Sequence, residues 1–488
     1  MSIKIINAKN GDTLLDYIRN KGLEIEAVCS GLGTCGKCLV NVNGEVKLAC
    51  KTPAEDGLVV EILTSKEKQS ILTEHSVGFG SGQDSGKIAA AVDIGTTTVV
   101  VKVLDTGSGR EIGIRAFTNP QRIYGADVLS RINHSMDDAT LLSTLIKNAI
   151  NEAILEILEK EAKDTYASLE KIVIAGNTTM MYLLLNLRCR SLGLVPFEPE
   201  YKLESAYPYK DVFGDETIEC PVILYPYISA FVGGDIVSGL VNIERHQEPE
   251  EASSYMLVDM GTNGEIAFRC GARLITTSTA AGPALEGGNI TCGMSGLPGA
   301  IYEAEYKSDG PFSYKTIEGK PATGICGSGV ISLTASLLDA GVITETGAFS
   351  EEKGPVTNEL VIDENIVFTQ KDVREFQLAK GAIRAGIDIL IDEMGEYPNT
   401  LYLAGGFGQN IDLESAFRVG LIPQEMRGKI RFAGNTSLGG CVDACIDEDR
   451  DNLLPTKKIL TGAEEINLGS HKKFNDTFME TMMFGEME

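Results

Sequence analysis

The sequence predicts an α/β protein in three parts, a small N-terminal domain followed by two related halves of a larger one. Residues 1–64 carry short strand patterns around one helix and end in the alternating run Leu58-Val-Val-Glu-Ile-Leu63. From Ile88 onward, apolar strand patterns alternate with amphipathic helices, which is typical of α/β architecture. Within that long region, segments of the first half recur in the second, which indicates two similar subdomains.

The internal repeat consists of two pairs of matching segments. Ala90-Ala-Val-Asp-Ile-Gly-Thr-Thr-Thr-Val99 resembles Tyr255-Met-Leu-Val-Asp-Met-Gly-Thr-Asn-Gly264, and Ile172-Val-Ile-Ala-Gly-Asn-Thr-Thr179 resembles Leu401-Tyr-Leu-Ala-Gly-Gly-Phe-Gly408. Each member of the second pair follows a long helical pattern. The first spans about 141–158, and the second begins near Thr369, a plausible N-cap with Asp372 three residues on. Two similar halves predict a cleft between them, where ligands commonly bind.

Composition sets the domain boundaries. Residues 65–87 are polar and rich in Gly and Ser, as expected of a flexible linker. The last residues are rich in Met, Phe and Glu and predict either a docking helix or a frayed end. The predicted parts are a domain at 1–64, a linker at 65–87, subdomains at 88–250 and 251–465, and a tail at 466–488.

The charge of the chain limits its partners. The formal net charge is −26 at pH 7, which repels phosphate backbones and anionic lipid and argues against nucleic acid and membrane surfaces as partners. A nucleotide remains compatible, because nucleotide sites are built locally from backbone N–H groups and a metal ion. The N-terminus runs straight into a strand pattern without the layout of a signal peptide, so the expected location is the cytoplasm.

The cysteines indicate a metal centre near the N-terminus. The chain has 11 of them, and in a cytosolic protein they are ligands or core thiols more often than disulfides. Cys29, Cys35, Cys38 and Cys50 give the spacing C-x5-C-x2-C followed by a fourth cysteine, close to the plant-type [2Fe–2S] pattern. A zinc site would more typically show two C-x2-C knuckles. Cys326, Cys441 and Cys445 are predicted to be structural.

The surroundings of these cysteines resemble the β-grasp [2Fe–2S] ferredoxin domains. The resemblance covers residues 1–64 and includes Gly11-Asp-Thr-Leu-Leu-Asp16, Leu48-Ala-Cys-Lys-Thr-Pro53 and Gly57-Leu-Val-Val-Glu-Ile62. It implies that the four cysteines hold a [2Fe–2S] cluster. Such a cluster carries one electron at a time, with plant-type potentials near roughly −400 mV. This domain is therefore expected to be an electron inlet.

Two short loops predict a nucleotide site. In the first, Asp93 ends a strand, Gly95 allows close approach to a phosphate, and Thr96, Thr97 and Thr98 offer amides and hydroxyls. Asp93 is predicted to hold Mg²⁺ directly or through water. One such loop alone is most simply an ordinary β-turn, but the arrangement recurs in the second half at Asp259, Gly261, Thr262, Asn263 and Gly264.

The paired loops resemble those of the actin, sugar-kinase and Hsp70 ATPase superfamily. Leu403-Ala-Gly-Gly-Phe-Gly408 resembles the adenosine motif of that superfamily, so Gly405, Gly406 and Phe407 are expected at the purine and ribose of ATP. Asp93, Asp259 and Asp235 are the predicted catalytic residues. Asn177 and Glu286 are predicted to line the nucleotide cleft, and no residue of the sequence identifies the base that orients the attacking water.

A [2Fe–2S] domain joined to this ATPase fold resembles the reductive activators of corrinoid proteins. Further motifs of that resemblance are Gly282-Pro-Ala-Leu-Glu-Gly287, Gly327-Ser-Gly329 and Asp372-Val-Arg-Glu-Phe-Gln-Leu-Ala-Lys-Gly-Ala-Ile383. It implies that ATP supports reduction of Co(II) to Co(I) in a corrinoid protein or its methyltransferase complex, with an electron donor upstream. A homodimer through the ATPase domain is a further expectation. Longer members place another domain between ferredoxin and ATPase, and this chain has only the linker.

Three other functions fit parts of the sequence. The ATP-dependent activators of 2-hydroxyacyl-CoA dehydratases pair the same ATPase fold with a [4Fe–4S] cluster, which the plant-like cysteine spacing disfavours. A non-catalytic redox sensor, in which ATP gates partner binding, would fail to hydrolyse ATP even with a reduced partner. A small-molecule kinase leaves the cysteine domain unexplained.

Overall fold

The computed structural model describes most of the chain outside residues 26–37 and the predicted linker. The described residues are 2–6, 12–21, 23, 25, 38–42, 45–62, 84–125, 127–162, 169–203, 205–216, 218–248, 253–308, 310–405, 411–447 and 454–485. Linker residues 65–83 and the site candidates Cys29, Cys35, Gly406 and Phe407 lie outside them.

The N-terminal domain is a four-stranded antiparallel sheet with one helix. Its elements are β1 (Ser2–Lys4), α1 (Leu14–Asn20), β2 (Leu39–Val42), β3 (Glu45–Leu48) and β4 (Val59–Ile62), and the strand order is β1-β4-β2-β3. Helix α1 begins at a capping box between Thr13 and Asp16. Its apolar face buries Leu14 and Ile18 against Val40 and Val60 of the sheet.

The first half of the larger domain is built on a mixed six-stranded sheet of order β7-β6-β5-β8-β10-β9. Its strands are β5 (Ile88–Ile94), β6 (Thr98–Asp105), β7 (Glu111–Thr118), β8 (Leu169–Gly176), β9 (Ala206–Pro208) and β10 (Pro221–Leu224). Its helices are α2 (Val128–His134), α3 (Thr140–Ile157), α4 (Thr178–Leu184), α5 (Arg190–Gly193), α6 (Tyr209–Phe213) and α7 (Gly234–His246). Strand β5 is apolar on both faces because helices cover the sheet on both sides.

The second half repeats this plan and adds to it. Its strands are β11 (Ser254–Met260), β12 (Gly264–Cys270), β13 (Arg273–Thr279), β14 (Ala300–Glu305), β15 (Ser313–Thr316), β16 (Gly324–Ile325), β17 (Glu359–Asp363), β18 (Ile366–Thr369), β19 (Thr400–Ala404), β20 (Ile430–Gly434) and β21 (Ala463–Glu465). Its helices are α8 (Gly327–Asp339), α9 (Gln370–Met394), α10 (Leu413–Arg418), α11 (Thr436–Ile446), α12 (Leu454–Gly462) and α13 (Phe474–Met482). The main sheet has the order β20-β19-β11-β12-β13-β21.

The two large sheets match in five of their six strands, and the sixth strands, β9 and β21, lie at opposite edges. In the first, β5, β6 and β7 form an antiparallel meander, and β8 and β10 continue it in parallel. In the second, β11, β12 and β13 form the meander, and β19 and β20 run parallel to it. Long helices precede the matching strands β8 and β19, as the sequence predicts. Helix α9 begins at the predicted capping box of Thr369 and Asp372. The predicted fold class is therefore confirmed.

Helices α7 and α11 join the two halves. A Cβ on Gly239 would lie 2.7 Å from Thr436 Oγ1, and one on Gly440 would overlap Ser238. The glycines therefore allow the two helices to pack nearly backbone to backbone. Each helix begins at the inner edge of one sheet, so their N-termini both reach the cleft.

Residues 84–87, assigned to the linker by composition, are held against the turn between β6 and β7. The Asp84 carboxylate accepts hydrogen bonds from Arg110 at 2.8 Å and from the hydroxyl of Ser108 at 2.6 Å. The Asp105 carboxylate accepts from the backbone N–H groups of Ser85 and Gly86 at 3.0 and 2.9 Å. These and other N–H donors lower the pKa of Asp105 to about 2. The described end of the predicted linker is thus part of the folded domain.

The C-terminal segment packs as a helix on the second half. Helix α13 lies along α9, where the Thr481 hydroxyl donates to the Gly381 carbonyl at 2.9 Å. Phe484 is buried and stacks on Phe376, while buried Lys380 donates to the Met483 carbonyl. Of the two alternatives for the tail, a docking helix is found at residues 474–482. Among the described residues, no helix combines the length and apolar character needed to span a membrane.

Candidate functional site

The hairpin of β2 and β3 brings two of the predicted cluster ligands together. Cys38 directly precedes β2, Cys50 follows β3, and the pairing of Leu39 with Leu48 places the two cysteines side by side. Their Sγ atoms are 3.3 Å apart, well beyond the ~2.05 Å of a disulfide bond. Both side chains are buried. Two soft sulfur donors at this distance fit an iron–sulfur centre; Cys29 and Cys35 lie outside the described residues.

Two of the three predicted catalytic aspartates, Asp93 and Asp259, occupy equivalent positions in the two sheets. Asp93 is the next-to-last residue of β5 and pairs in register with Ala175 of β8. Asp259 is the next-to-last residue of β11 and pairs with Ala404 of β19. Both carboxylates therefore lie where parallel strands end, at the edge of the sheet that faces the other half.

Asp93 is held from the opposite half of the molecule. Asn435 Nδ2 donates to one carboxylate oxygen at 2.9 Å, and Ser437 Oγ donates to the other at 2.7 Å. Asn435 also caps α11, because its Oδ1 accepts the N–H of Leu438 at 2.8 Å. In the sequence, the segment from Asn435 to Ser437 is typical of a helix N-cap, but no sequence signal indicates its contact with Asp93.

The first loop, residues 93–98, is a tight turn that polar side chains hold from outside. The Gly95 N–H donates to the Thr98 carbonyl at 2.9 Å, and a Cβ on Gly95 would lie 2.6 Å from that oxygen. Asn119 donates to the Gly95 carbonyl at 2.9 Å, and Asn177 donates to the Thr96 hydroxyl at 3.0 Å. The predicted residues Gly95, Thr96 and Asn177 therefore lie together.

A buried arginine also contacts this loop. Arg131 of α2 has no exposed surface, and its guanidinium donates to the Thr96 carbonyl and, at 2.8 Å, to the Gly125 carbonyl. Burial lowers the pKa of Arg131 to about 9. A cation placed directly behind a phosphate loop favours a bound anion. The sequence gives no signal for it, because Arg131 lies 35 positions from Thr96.

The second loop meets the first at Glu286. The Gly261 N–H donates to the Asn263 carbonyl at 2.9 Å, which closes the turn. The Thr262 hydroxyl donates to Glu286 Oε2 at 3.1 Å, and the Thr97 hydroxyl of the first loop lies 3.4 Å from the same oxygen. Gly264 begins β12, where a Cβ would lie 2.9 Å from Ile383 of α9, so its small size serves packing.

Several carboxylates lie close together in the cleft, and one of them, Glu265, was not predicted from the sequence. Burial is the main cause that raises the pKa values of Asp93, Asp235, Asp259, Glu265 and Glu286. Repulsion adds to it, since the charges of Asp235 and Asp259 both raise the pKa of Glu265. Glu265 faces Asp259 across the β11–β12 pair. The sequence signal for Glu265 is its place directly after the second loop.

This crowding fits a divalent cation. Carboxylate oxygens are ligands that Mg²⁺ prefers, and a cation would relieve the repulsion among them. Within the described ranges, no three His, Cys, Asp or Glu side chains are arranged as a direct metal site. At nucleotides, Mg²⁺ commonly keeps several waters and is held by one or two carboxylates together with phosphate oxygens.

Gly405, at the start of the predicted adenosine motif, packs directly against the side chain of Asp259. Gly405 has φ +87°, and a Cβ there would meet the Asp259 carboxylate and the Met260 backbone. Only glycine fits this position without strain. Gly233, before α7, packs in the same way against Asn177 and places Asp235 in the first turn of that helix, at the cleft.

Replacing Asp259 by Asn is expected to stabilise the nucleotide-free protein more strongly as the pH rises toward about 8. Burial and the charges of Asp93 and Glu286 raise the pKa of Asp259 to about 7. A raised folded-state pKa means that this group's contribution to stability is complete below about pH 4 and is lost as the pH rises through about 7. A difference of one pKa unit between the folded and unfolded states changes the free energy of unfolding by at most about 1.4 kcal/mol.

The measurement is the Tm of both proteins across this pH range in buffer without Mg²⁺. Exposed Asp137→Asn is the matched control, since its carboxylate forms only a surface pair with Arg190 at 3.5 Å. A Tm difference between Asp259→Asn and the unchanged protein that stays constant with pH would contradict the explanation.

Three family models match consecutive parts of the chain. The 2Fe-2S iron-sulfur cluster binding domain matches residues 2–60, the RACo middle region matches 88–248, and the C-terminal domain of RACo, the ASKHA domain, matches 253–488. The order and limits of the matches follow the three folded parts seen in the structure.

One relative and a solved structure match nearly the whole chain, and a second relative matches most of it. The corrinoid activation enzyme RamQ of Eubacterium limosum is 29% identical over 589 residues, covering 99% of this chain and 98% of that protein. The Co(II) methylated amine-specific corrinoid protein reductase of Methanosarcina barkeri is 27% identical over 80% of this chain and 75% of that protein. A reductive activator for corrinoid, iron–sulfur protein superposes with a TM-score of 0.70 at 25% identity, covering 98% of this chain and 96% of that one.

Proposed function

Because the chain belongs to the reductive activators of corrinoid proteins, we propose that it uses ATP to transfer single electrons from a [2Fe–2S] cluster to a corrinoid partner protein. The matching family models, the two relatives and the solved structure confirm the family predicted from the sequence. The acceptor is the Co(II) form of the corrinoid, and the product is Co(I). A [4Fe–4S] activator is disfavoured, because the N-terminal match is to a 2Fe-2S domain.

The observation that carries this proposal is the union of two sites in one chain. The hairpin of Cys38 and Cys50 belongs to an electron-transfer domain, and the cleft between Asp93 and Asp259 belongs to an ATPase fold. An electron carrier that only passes electrons downhill needs no ATPase. A sugar kinase needs no iron–sulfur cluster.

In this mechanism the two loops enclose the phosphates of ATP. Backbone N–H groups of the Gly95 turn and the hydroxyls of Thr96, Thr97 and Thr262 donate to phosphate oxygens. Asp93 and Asp259 would hold Mg²⁺ directly or through water, and a bound ion would neutralise charge on the phosphates. Cys29, Cys35, Cys38 and Cys50 would hold the [2Fe–2S] cluster, which would supply one electron at a time.

ATP can drive an uphill electron transfer only if the binding of ATP changes the affinity of the chain for its partner protein. A ligand shifts an equilibrium between states only as far as its affinity differs between them. Helix α2 lies near both domains. Its Arg131 contacts the first loop, and at its other end the pKa of His134 is lowered by burial and by the nearby charge of Arg19 in α1. We infer that closure of the cleft on ATP changes how the ferredoxin domain is presented to the partner.

The test is a visible spectrum of a Co(II) corrinoid protein mixed with the reconstituted chain, a reductant and Mg·ATP. Appearance of the Co(I) band only with ATP is the expected result. Fragment 1–64 alone should accept electrons normally but fail to sustain ATP-dependent Co(I) formation, because it lacks the ATPase cleft.

Measuring phosphate release in the same samples links the two activities. Fragment 1–64 forming Co(I) at the full rate without ATP would contradict the coupling and leave the ATPase without a role. An upstream electron donor protein and a homodimer through the ATPase domain complete the proposal. Sedimentation of the reconstituted chain tests the dimer.

A further inference from the structure

Glu286 occupies a rigid turn at the meeting point of the two loops. It ends the short 3-10 turn Pro283–Glu286, which glycines with positive φ flank on both sides. A Cβ on Gly287 would overlap the backbone of Met294, and one on Gly288 would lie 2.5 Å from Pro283. Leu285 is buried in the core of the second half. The backbone of Glu286 is therefore fixed relative to that half.

A single oxygen of Glu286 receives hydroxyls from both halves. Thr262 Oγ1 donates to Oε2 at 3.1 Å, and Thr97 Oγ1 approaches it at 3.4 Å from 189 positions away in sequence. Both threonines belong to phosphate loops. Their hydroxyls thus converge on a carboxylate in a cleft where a triphosphate would offer competing acceptors.

The charges around Glu286 oppose direct contact with a phosphate. Its charge raises the pKa of Asp259, so the two carboxylates are close, whereas the charge of Arg122 lowers the pKa of Glu286. A phosphate oxygen beside Glu286 would be repelled. A water molecule between them would not, because it can donate to the carboxylate and turn its lone pair to phosphorus.

We propose that Glu286 orients the water that attacks the γ-phosphate, and that the hydroxyls of Thr97 and Thr262 move from Glu286 to the phosphate when ATP binds. Phosphate oxygens compete well for hydroxyl donors because charge-assisted hydrogen bonds are strong. Once the hydroxyls leave, the acceptor positions of Oε2 are free for water. The inference rests on the proposed function, in that it assigns a residue to its ATP-hydrolysing step.

The step balances without a further reactant. The water oxygen forms a bond to the γ-phosphorus, and the bond between that phosphorus and the bridging oxygen breaks, which leaves ADP with the electron pair. The proton of the water passes to Glu286 and then to solvent, and inorganic phosphate leaves. The hydroxyls of Thr97 and Thr262 can then return to Glu286. Whether these two hydroxyls contact Glu286 therefore depends on whether the γ-phosphate is present.

The main test is Glu286→Gln in the full-length reconstituted protein. An amide cannot take the proton, so kcat for ATP hydrolysis should fall by roughly 10²–10⁴. KM and the affinity for a non-hydrolysable ATP analogue should stay the same or improve, because a negative charge near the phosphates is removed. Glu303→Gln is the matched control, since Glu303 forms only an exposed pair with Lys315.

Two threonine variants test the exchange of partners. Thr262→Val should reduce the preference for the ATP analogue over ADP, and Thr262→Ser, which keeps the hydroxyl, should restore it. A Glu286→Gln protein with kcat within about threefold of the unchanged chain would overturn the assignment. So would a parallel fall in kcat, analogue affinity and Tm, which is the pattern of a purely structural residue.

These outcomes separate the inference from the proposed function. If the unchanged chain hydrolyses no ATP with a Co(II) corrinoid protein and reductant present, the proposed function fails. If the unchanged chain hydrolyses ATP and Glu286→Gln does so equally well, only the assignment of Glu286 fails.

Discussion

Replacing Cys50 by alanine is expected to abolish the iron–sulfur cluster and all electron transfer to a corrinoid partner. Cys50 is buried, and the β2–β3 hairpin holds its sulfur 3.3 Å from that of Cys38. An alanine there leaves one coordination position without a thiolate, and a water-exposed substitute ligand cannot reach a buried position. Iron and sulfide content should drop from about two of each per chain to near zero.

Chemical analysis and the EPR spectrum of the reduced protein measure this loss. Cys441→Ala is the matched control, because Cys441 is also buried but lies in α11, where burial raises the pKa of its thiol. That variant should keep the full cluster. A Cys50→Ala protein with an intact [2Fe–2S] signal, or an unchanged protein with four irons per chain or with zinc, would refute the ligand assignment.

Replacing Asp93 or Asp259 by alanine is expected to reduce hydrolysis of Mg·ATP by roughly 10²–10³, since a bound metal contributes several kcal/mol to charge stabilisation. The two carboxylates lie on the next-to-last residues of β5 and β11, and the charge of Asp93 raises the pKa of Asp259, so they are near each other in the cleft. Asp93→Ala also removes the acceptor of Asn435 and Ser437, and so loosens the link between the halves. Asp93→Asn keeps the size of the side chain and separates the loss of charge from this loosening.

Phosphate release and Mg²⁺ dependence are the measurements. Exposed Asp137→Ala is the control and should hydrolyse ATP at the normal rate. We expect the two cleft variants to need more Mg²⁺ for half-maximal rate, because each loses a carboxylate directed at the ion. Normal rates in both would show that the nucleotide binds elsewhere.

The sequence predicted the parts of the site that are local in the chain. The strand-ending aspartates, the glycine turns and the capping box of α9 each depend on residues a few positions apart, and the structure places each where its pattern predicts. The internal repeat also predicted one long-range feature, the cleft, because two copies of one motif imply two halves that face each other. Their catalytic roles remain predictions.

Contacts made by distant residues could not be predicted in this way. Asn435 reaches Asp93 across 342 positions, and its local pattern is fully explained by capping α11. Arg131 and Glu265 look like ordinary surface charges in sequence, since their neighbours in the cleft come from other elements. Composition also misled at residues 84–87, where Ser and Gly look like linker but supply the backbone donors to Asp105.

The contacts of Asp84 decide where this chain can be divided. A truncated ATPase beginning at residue 88 would lose Asp84, Ser85 and Gly86, and so leave Arg110 without its carboxylate and Asp105 without two of its N–H donors. Asp105 is only 3% exposed at the end of β6, and its charge would then keep only the donors of Gly107 and Ser108. A truncated protein that begins before Asp84 keeps these contacts intact. The boundary of the ATPase is therefore set by a salt bridge and two amides rather than by the first residue of its sheet.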